Sequence, residues 1–444
     1  MSIMKVPELQ NLFEELSHEY EFLTENKNRL EADCNKLREY IENQIEQIQH
    51  LNTDFEKLKQ DYLQRTGEIA RQPQQQQTSV QPVVPVEQQQ NYLQRPQEPL
   101  QQSPHEEQAE QDWELLTLKD KIPKPVIINL LAEIVDTSVI CSTAFSPDGT
   151  CLAIGSDKTL RVYNIDKDDF LLQYQIEDSE SSENNTNHVR SISWTSDSKQ
   201  IVCGGEDGQI RIFELPSENL IKNFPACNGE VFQVQISNNG QYFATATGDG
   251  TLSIFSMSTY QPIATMPRDT RDPVVATSLA ISSDDQHIAV GYSDNYVVIW
   301  DTEKCQKVCE QSCHTSGVYA VKFLPEYKRF VTASLDNTVK IWNIAKQDDG
   351  TIKLELWKSL DGHTNFVLSL ATDPTDTWLL SGSKDLTARL SYIETGEMIY
   401  SIKAHTNSVI TVAFNPNGNM FCTGSGDHSV KIWSLNPEEP EEPE

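Results

Sequence analysis

Positive charge is scarce in this sequence. Its 444 residues include 35 Lys and Arg but 66 Asp and Glu, so the formal net charge is −31 and the pI is about 4.6. Nonspecific affinity for DNA depends on Lys and Arg displacing counterions from phosphates, so this composition argues against direct DNA binding. An acidic surface of this kind suits either basic partners or solubility alone.

The signatures of several other protein classes are absent. No apolar run approaches the roughly 18 residues of a membrane-spanning helix, and we therefore expect no membrane association. The sequence contains no GxxxxGK[ST], HExxH or paired CxxC motif, which argues against an enzyme and predicts no cofactor. Residues 1–30 are rich in charge and do not resemble a signal peptide. Together with nine scattered cysteines, they indicate a reducing intracellular compartment.

Four residues superficially resemble a zinc site. They are Cys305, Cys309, Cys313 and His314. A spacing of four would put the three sulfurs on one face of a strand, whereas zinc sites favour more closely spaced cysteine pairs. We therefore predict no metal site here.

A sevenfold repeat dominates residues 157–427. An aspartate in a tight-turn context precedes a short apolar strand seven times, with gaps of 50, 42, 45, 42, 49 and 42 residues. The seven are Asp157, Asp207, Asp249, Asp294, Asp336, Asp385 and Asp427. The clearest copies, TASLDNTVKIWNI (332–344) and TGSGDHSVKIWSL (423–435), carry a Trp near the strand's end. A period of about 40–45 residues with this Trp predicts an all-β, seven-bladed WD-repeat β-propeller.

A heptad pattern runs through residues 9–69. Leucine occupies seven of the nine d positions, and aromatic residues or isoleucine occupy most a positions. We predict that residues 1–72 form a coiled-coil helix for oligomerisation and partner binding, because a lone helix would expose this long apolar stripe. Isoleucine at a with leucine at d favours dimers, whereas aromatic a residues such as Phe13 and Tyr20 favour a wider core. A helix folded back onto the propeller is the alternative.

The remaining domain boundaries follow from composition. Residues 73–111 are rich in Gln and Pro and are predicted to form a disordered linker. The propeller is predicted to span residues 112–436, and the acidic tail at 437–444 cannot form another strand. The last blade would then lack its outermost strand unless VIINLL (126–131) supplies it. We predict this closure because it removes an open sheet edge.

Blades 5 and 7 carry matching sets of polar residues: His314, Thr332, Asp336 and Trp342, and His405, Thr423, Asp427 and Trp433. A His–hydroxyl–Asp set invites a hydrolase interpretation. These sets recur in register and lack an oxyanion-hole motif, so we interpret them as buried structural hydrogen-bond networks. At the same offsets, Asn185, Cys227 and Asp272 replace the His in blades 2, 3 and 4. Blade 6 has Ser391 in place of the Trp.

Two positions of each repeat are expected on the face where the innermost strand begins, which we call the upper face. The first lies 17 residues before the repeat Asp, or 16 in blade 1, and gives Cys141, Arg190, Phe232, Thr277, Tyr319, Leu368 and Ile410. The second lies directly before the Asp and gives Ser156, Glu206, Gly248, Ser293, Leu335, Lys384 and Gly426. Large apolar groups at the channel mouth would form a hot spot for a short peptide, with charged neighbours adding selectivity. The alternative is that these side chains merely plug the channel.

The chain also resembles the fungal Tup-type general transcriptional corepressors, which are relatives in role of Groucho. The resemblance covers the helical N-terminus, the Gln-rich linker and all seven blades. It rests on segments such as SVICSTAFSPDGTCLAIGSDKTLRVYNI (138–165), HVRSISW (188–194) and HTNSVITVAFNPNG (405–418).

This resemblance implies a nuclear corepressor scaffold that does not read DNA itself. In the family, the N-terminal helix tetramerises and binds a TPR-repeat corepressor partner, and the propeller's upper face docks onto sequence-specific DNA-binding repressors. Histone tails are bound and histone deacetylases are recruited. Carried onto this chain, the repressor-docking positions are Cys141, Glu206, Phe232, Tyr319, Leu368, Lys384, Asn407 and Ser408. The linker is shorter than is usual, so histone-tail binding is either lost or moved to an acidic segment such as EDSESSE (177–183).

Two other kinds of scaffold share parts of this organisation. A heterotrimeric G-protein β subunit also joins an N-terminal helix to seven blades, but its helix leads almost directly into the propeller. The Gln- and Pro-rich linker speaks against that class. An adaptor of a ubiquitin ligase would need a recruitment domain, and we find no such motif in residues 1–125.

Overall fold

Seven sheets arranged in a ring make up the part of the chain that the structure describes. A computed structural model describes residues 113–119, 124–176, 187–215, 219–227, 229–324 and 329–437. They form seven antiparallel sheets, six with four strands and one with five. The inner strand of each sheet contacts the inner strands of both neighbours, and the seventh contacts the first. The predicted seven-bladed propeller is therefore confirmed.

The strands follow one another in blade order. Two precede the blades, β1 (Glu114–Thr117) and β2 (Val126–Val135). Blade 1 contains β3 (Ser142–Phe145), β4 (Cys151–Gly155), β5 (Thr159–Asn164) and β6 (Asp169–Gln175). Blade 2 contains β7 (Val189–Trp194), β8 (Gln200–Gly205), β9 (Gln209–Glu214) and β10 (Asn219–Pro225). Blade 3 contains β11 (Val231–Ile236), β12 (Tyr242–Thr247), β13 (Thr251–Ser256) and β14 (Pro262–Pro267).

The remaining blades continue this order. Blade 4 contains β15 (Ala276–Ile281), β16 (His287–Tyr292), β17 (Tyr296–Asp301) and β18 (Gln306–Ser312). Blade 5 contains β19 (Val318–Phe323), β20 (Arg329–Ser334), β21 (Thr338–Lys346) and β22 (Ile352–Asp361). Blade 6 contains β23 (Val367–Thr372), β24 (Trp378–Ser383), β25 (Thr387–Tyr392) and β26 (Glu397–Lys403). Blade 7 contains β27 (Val409–Phe414), β28 (Met420–Ser425) and β29 (Ser429–Pro437).

The turn after each repeat aspartate has the same backbone conformation in all seven blades. The residue that follows the aspartate has a positive φ, and these residues are Lys158, Gly208, Gly250, Asn295, Asn337, Leu386 and His428. Gly and Asn adopt this left-handed region readily, whereas Leu386 and Lys158 do so at some cost. The aspartate offsets part of that cost, since its carboxylate accepts the backbone N–H two residues on, as Asp336 does from Thr338 at 3.1 Å.

Most of the core lies between neighbouring blades. The middle strands are buried on both faces, and every residue of β16 is buried. Ile210 of blade 2, for example, belongs to the same buried cluster as Phe243 and Phe255 of blade 3. A single blade would expose these side chains to water, so the ring stabilises each sheet by covering both of its faces.

Two N-terminal strands complete blades 6 and 7. The strand β2 pairs antiparallel with β29 from Val126↔Pro437 to Val135↔Ser429, so blade 7 receives its fourth strand from the start of the domain. The composition of the last blade predicts a closing strand at 126–131, and the observed strand continues to Val135. The strand β1, which the sequence analysis did not anticipate, pairs with the outer edge of β26 and gives blade 6 a fifth strand.

The predictions for the chain ends fall largely outside the described residues. The coiled coil (1–72), the linker (73–111) and the acidic tail (437–444) all lie there, except for Pro437. Pro437 was assigned to the tail from composition, but it ends β29 and pairs with Val126.

Candidate functional site

In six of the seven blades, a β-bulge directs one residue of the inner strand toward the central channel. In blades 2 to 7 the register between the first two strands shifts at one residue, for example between Val189 and Ser191, which leaves Arg190 unpaired. The bulged residues are Arg190, Phe232, Thr277, Tyr319, Leu368 and Ile410. The pairing of β3 with β4 shows no such shift, which explains why the spacing is one residue shorter in blade 1. Bulges re-aim side chains in this way at many binding sites.

The structure brings all seven predicted ring residues to one cavity. A channel of about 730 Å³ lies between the inner strands, and Cys141 of blade 1 and the six bulged residues line it. Phe232, Tyr319 and Leu368 keep part of their surface accessible, whereas Thr277 is buried. These three large side chains therefore meet solvent at a channel that retains about 730 Å³ of free volume.

Charged groups surround one side of the channel mouth. Glu206 accepts hydrogen bonds from Arg190 and from the ring of His188, the latter at 2.8 Å. Arg190 also lies 3.5 Å from Glu230, and its guanidinium is 5.4 Å from the centre of the Phe232 ring. Burial opposes ionisation of Glu206, but His188 and Arg190 outweigh it and lower the pKa of Glu206 to about 2. The mouth thus combines a fixed carboxylate, a guanidinium and an aromatic face.

The repeat pattern in the sequence does not predict two of these residues. His188 and Glu230 do not occupy either repeat position used to predict the ring, so the spacing could not identify them. The hydrogen bond that the His188 ring donates to Glu206 raises the pKa of His188, which favours its charged form. Cys141 is different, since burial raises the pKa of its thiol to about 12 and makes it a poor nucleophile.

The other predicted partner-binding residues divide into two groups. Glu206 lines the channel, whereas Leu335, Lys384, Asn407 and Ser408 do not. Lys384 is exposed and lies with its ammonium 5.4 Å from the centre of the Phe366 ring. Asn407 donates to the Gly426 carbonyl at 3.2 Å. These four residues therefore belong to the upper-face turns around the channel and not to its wall.

The polar sets of blades 5 and 7 form continuous hydrogen-bond networks. In blade 5, Trp342 Nε1 donates to Thr332 Oγ1 at 2.9 Å, and the His314 ring lies 2.7 Å from Thr332 and 2.9 Å from Asp336. Blade 7 repeats the arrangement, with Trp433 Nε1 donating to Thr423 at 3.0 Å. All of these groups are satisfied internally and the His rings are fully covered. The networks therefore cross-link strands and the upper-face loops.

Arginines replace the histidine network in three other blades. In blade 2, Asp207 is bound by Arg211 and by Asn187, and Asn185, to which the offset pointed, lies outside the described residues. In blade 4, Arg268 makes two hydrogen bonds to Asp294 at 2.6 and 2.7 Å, where the offset had pointed to Asp272.

The arginine of blade 1 forms an ion pair, and the arginine of blade 4 also contacts aromatic rings. Arg161 pairs with Asp136 at 3.0 Å, and Asp136 occupies the position corresponding to His in blade 1. Arg268 also lies over the rings of Tyr292 and Tyr296, at 4.6 and 5.0 Å from their centres. An arginine side chain is longer than a histidine side chain and can reach its aspartate from other backbone positions. A fixed number of residues before the repeat aspartate therefore does not identify these arginines.

We expect the propeller to lose stability on acidification. Hydrogen bonds from His314, His363 and His405 overcome burial and hold the pKa values of Asp336, Asp385 and Asp427 below their usual range. A depressed carboxylate pKa contributes stability above the unfolded value of about 3.9, which is lost as the pH falls through the folded value. Burial also lowers the pKa of His314 and His363, so the unfolded chain binds extra protons below about pH 6.5.

The measurement is the urea midpoint of unfolding at pH 7.5, 5.5 and 4.0. The midpoint should decline from the first value to the second and more steeply to the third, with an unchanged m-value. An equal midpoint at all three pH values would contradict this assignment of charge states.

The described part of the chain offers no helical segment with the length and hydropathy of a membrane span. Within the same residues, no group of three or more His, Cys, Asp or Glu side chains is arranged to hold a metal ion. Cys305 is exposed in the turn before β18, whereas Cys309 and Cys313 are buried. The three sulfurs therefore do not share one strand face, as their spacing had suggested.

Sequence comparisons match the repeats of this fold. The family "WD domain, G-beta repeat" matches residues 130–164, 260–301, 304–343, 354–390 and 396–434. The family "Anaphase-promoting complex subunit 4 WD40 domain" matches residues 174–239, which include all of blade 2.

Several curated proteins are similar to part of this chain. WD repeat-containing protein 1 of Gallus gallus is 24% identical over 230 residues, which are 50% of this chain and 36% of that protein. Striatin of Homo sapiens is 25% identical over 282 residues, 58% of this chain and 35% of the relative. Transcription initiation factor TFIID subunit 5 of Caenorhabditis elegans is 27% identical over 180 residues, 39% and 27% of the two chains. The chain thus spans about a third or less of the length of each of these relatives. The matching repeats and the seven blades together identify it as a WD-repeat β-propeller protein.

Proposed function

We propose that the propeller is a protein-docking platform whose upper channel mouth binds a short segment of a partner. The observation that carries this proposal is the convergence of the seven ring residues on one open cavity of about 730 Å³. Accessible aromatic and aliphatic groups at the centre of a concave surface are typical of binding hot spots.

The chemistry of the mouth indicates what a bound segment must offer. Phe232, Tyr319 and Leu368 provide apolar contact, so an apolar or aromatic side chain of the partner would enter the channel between them. The pair of Glu206 and Arg190 stands beside them and would select for a polar or charged neighbour in the partner's sequence. WD-repeat propellers generally act through such protein–protein contacts.

The more specific proposal is a transcriptional corepressor scaffold in the nucleus. The N-terminal helix would oligomerise, with a tetramer as the expected state, and bind a TPR-repeat corepressor partner. The upper face would hold sequence-specific DNA-binding repressors, and histone tails and histone deacetylases would be recruited to the assembly. Support comes from the resemblance of all three regions to Tup-type corepressors and from a relative described as a transcription initiation factor subunit.

Such an assembly would gain affinity from its multiplicity. Four propellers held together through their N-terminal segments would raise the effective concentration of each docking surface near a promoter-bound repressor. Tight recruitment then needs no strong individual contact, and the net charge of −31 leaves DNA recognition to the repressor.

A second candidate is a G-protein β-like subunit or another WD-repeat scaffold or adaptor. The matching repeat family is described as the G-beta repeat, and striatin is among the relatives. In that case the N-terminal helix would pair with a small helical chain instead of forming a tetramer.

The two candidates are separated by pull-downs with the full chain and with a chain lacking residues 1–72. TPR-repeat candidates, histone tails and DNA-binding repressors serve as probes, and the solution mass of the full chain is measured in parallel. Retention of the TPR partner by a tetrameric chain, and of repressors by both chains, supports the corepressor. Capture of a small helical subunit by a dimeric or monomeric chain supports the second candidate.

The docking surface is tested by substitutions at the mouth. We expect Phe232→Ala and Arg190→Ala to weaken partner binding by about tenfold or more, because hot-spot truncations cost about 1–2 kcal/mol or more. The matched control is Ile263→Ala, since Ile263 is 61% exposed on the outer strand of blade 3. An equal loss of affinity in the Ile263→Ala control would show that the partner does not bind at the channel mouth.

A further inference from the structure

A groove of about 520 Å³ lies between blades 2 and 3, apart from the channel. One wall includes Phe224 on β10, and the other includes Ser253 and Phe255 on β13. Two of the described residues that line it are charged, Lys222 on β10 and Asp249 in the turn before β13. The groove therefore reaches the upper-face turn that carries the repeat aspartate of blade 3.

Blade 3 lacks the basic side chains that the other blades place near this aspartate. Blade 4 has Val298 four residues after the aspartate, but Arg268 binds the carboxylate instead. Blade 3 has Ser253 at that position, and Cys227 in place of the histidine of blades 5 to 7. It is therefore the one described blade with no basic side chain at these positions or bonded to its aspartate. The other five blades carry Arg161, Arg211, Lys340, Arg389 and Lys431 four residues after the aspartate.

The carboxylate of Asp249 consequently keeps an oxygen without a donor. Its Oδ1 accepts from the Thr247 hydroxyl and from the backbone N–H of Thr251, the latter at 3.1 Å. No described residue donates to Oδ2, although a carboxylate oxygen can accept two hydrogen bonds. Burial raises the pKa of the nearby Cys227 thiol to about 11, and the charge of Asp249 adds to this rise. Asp249 is exposed, so an incoming donor can reach it from the groove.

A buried hydroxyl on the same face of blade 3 is also unpartnered. Thr245 is fully buried, and its Oγ1 has no hydrogen-bond partner in the described part of the chain. It pairs by register with Ser253, so both side chains project from the face that lines the groove. In blade 5 the corresponding threonine bonds to the histidine and the tryptophan of its network. In blade 3, Phe255 has no N–H, and the Cys227 thiol donates to the Gly229 carbonyl at 3.1 Å.

The arginine of blade 4 shows how a guanidinium is held beside a repeat aspartate. Arg268 makes two hydrogen bonds to Asp294 and lies over two tyrosine rings. The groove of blade 3 offers the same kinds of group, because the half-buried rings of Phe224 and Tyr260 line it together with Asp249. A carboxylate beside aromatic faces suits a planar guanidinium better than a compact ammonium.

We propose that this groove binds an arginine side chain of a basic peptide segment supplied by a partner protein. The guanidinium would donate to the free Oδ2 of Asp249 and pack against the aromatic wall. It would then occupy the place that the other blades fill with basic side chains of their own. The net charge of −31 would also favour the approach of a basic segment.

Lys222 does not already supply this charge. It pairs by register with Ile212 and lies three residues, or about 10 Å along β10, from Pro225 at the upper end of the strand. Its side chain is exposed and forms no ion pair with a described residue. Because its charge opposes that of a bound arginine, we expect Lys222→Gln to strengthen binding in the experiment that follows.

The test uses the full chain and a fluorescein-labelled peptide of repeated Gly-Ser-Arg units at constant ionic strength. Matched peptides carry citrulline or lysine in place of arginine. We expect saturable binding of the arginine peptide, weakened about tenfold or more by Asp249→Asn, because hydrogen bonds between charged groups are strong. Ser253→Arg should weaken binding similarly, since it places an arginine of the chain where blade 2 has Arg211. The matched control is Glu303→Gln, which removes an exposed carboxylate of blade 4 and should have no effect.

Several results would overturn the proposal. Equal binding of the citrulline peptide would exclude a role for charge, and equal binding of the lysine peptide would exclude specificity for a guanidinium. Unchanged binding by Ser253→Arg and by Asp249→Asn, each shown by circular dichroism to be folded, would show that the peptide does not bind in this groove. An equal loss in Glu303→Gln would indicate general attraction to an acidic surface. A loss in Tyr319→Ala would place the peptide at the channel mouth.

Discussion

Replacing Ile128 with lysine is expected to unfold the propeller, whereas replacing its neighbour Ile127 with lysine is expected to leave the fold intact. The two residues are adjacent on β2, but Ile128 is 3% exposed and Ile127 is 47% exposed. The same charge is therefore placed in the core by one substitution and in solvent by the other.

The expected difference follows from how the ring is closed. Ile128 belongs to the core cluster that joins blades 6 and 7, which includes Trp433 and Tyr400. Burying a lysine there costs more than about 4 kcal/mol, in addition to the lost apolar contact, and a domain is typically stable by only about 5–15 kcal/mol. Loss of β2 would also open β29 as an exposed sheet edge.

Thermal and urea unfolding of the two variants, followed by circular dichroism, measure the effect. Ile128→Lys should be unfolded, aggregated or lowered in melting temperature by more than about 10 °C, and Ile127→Lys should differ from wild type by less than about 0.5 kcal/mol. Equal stability of the two variants would show that β2 does not close the ring.

Trp433→Ala is expected to give the second largest loss of stability, about 3–5 kcal/mol in the free energy of unfolding. Trp433 is fully buried, stacks on Phe421 at 6.1 Å between ring centres, and meets the edge of Trp113 at 5.1 Å. Its removal also takes away the N–H that donates to Thr423.

A double-mutant cycle separates packing from hydrogen bonding. Thr423→Val keeps the volume of the side chain but leaves Trp433 Nε1 and the His405 ring without their hydroxyl partner, which should cost about 1–3 kcal/mol. The two substitutions should be non-additive, because they remove the same network. Leu116→Ala, at a side chain 49% exposed on β1, is the control and should have little effect. Strictly additive losses would argue against a coupled network.

Much of the candidate site was predictable because its spacing is local. The ring residues all came from one offset, and the bulge that presents them recurs in six blades. The one exception, Cys141, was already visible as a shorter spacing in blade 1. His188 and Glu230 were missed, since their role depends on reaching Glu206 and Arg190 from other strands and loops.

The hydrogen-bond networks likewise contain some residues that the sequence spacing predicts and others that it misses. The His, Thr, Asp and Trp of blades 5 and 7 keep fixed offsets, so they form a recurring set in the sequence, and hydrogen bonds join each set in the structure. Arg268 pairs with Asp294 from 26 residues away, at an offset that no other blade uses. Long flexible side chains reach partners from many backbone positions, so a fixed offset does not predict their contacts.

Local periodicity was sufficient to establish the number of blades, the turn conformation after each aspartate and the residues around the channel. These features depend on strand alternation and turn chemistry within about 45 residues, which every copy repeats. Tertiary packing alone determined the addition of β1 to blade 6 and the arginine partners of the repeat aspartates. Those contacts join residues up to about 290 positions apart, as Glu114 and Lys403 show, and they depend on the space and counter-charges left by neighbouring blades.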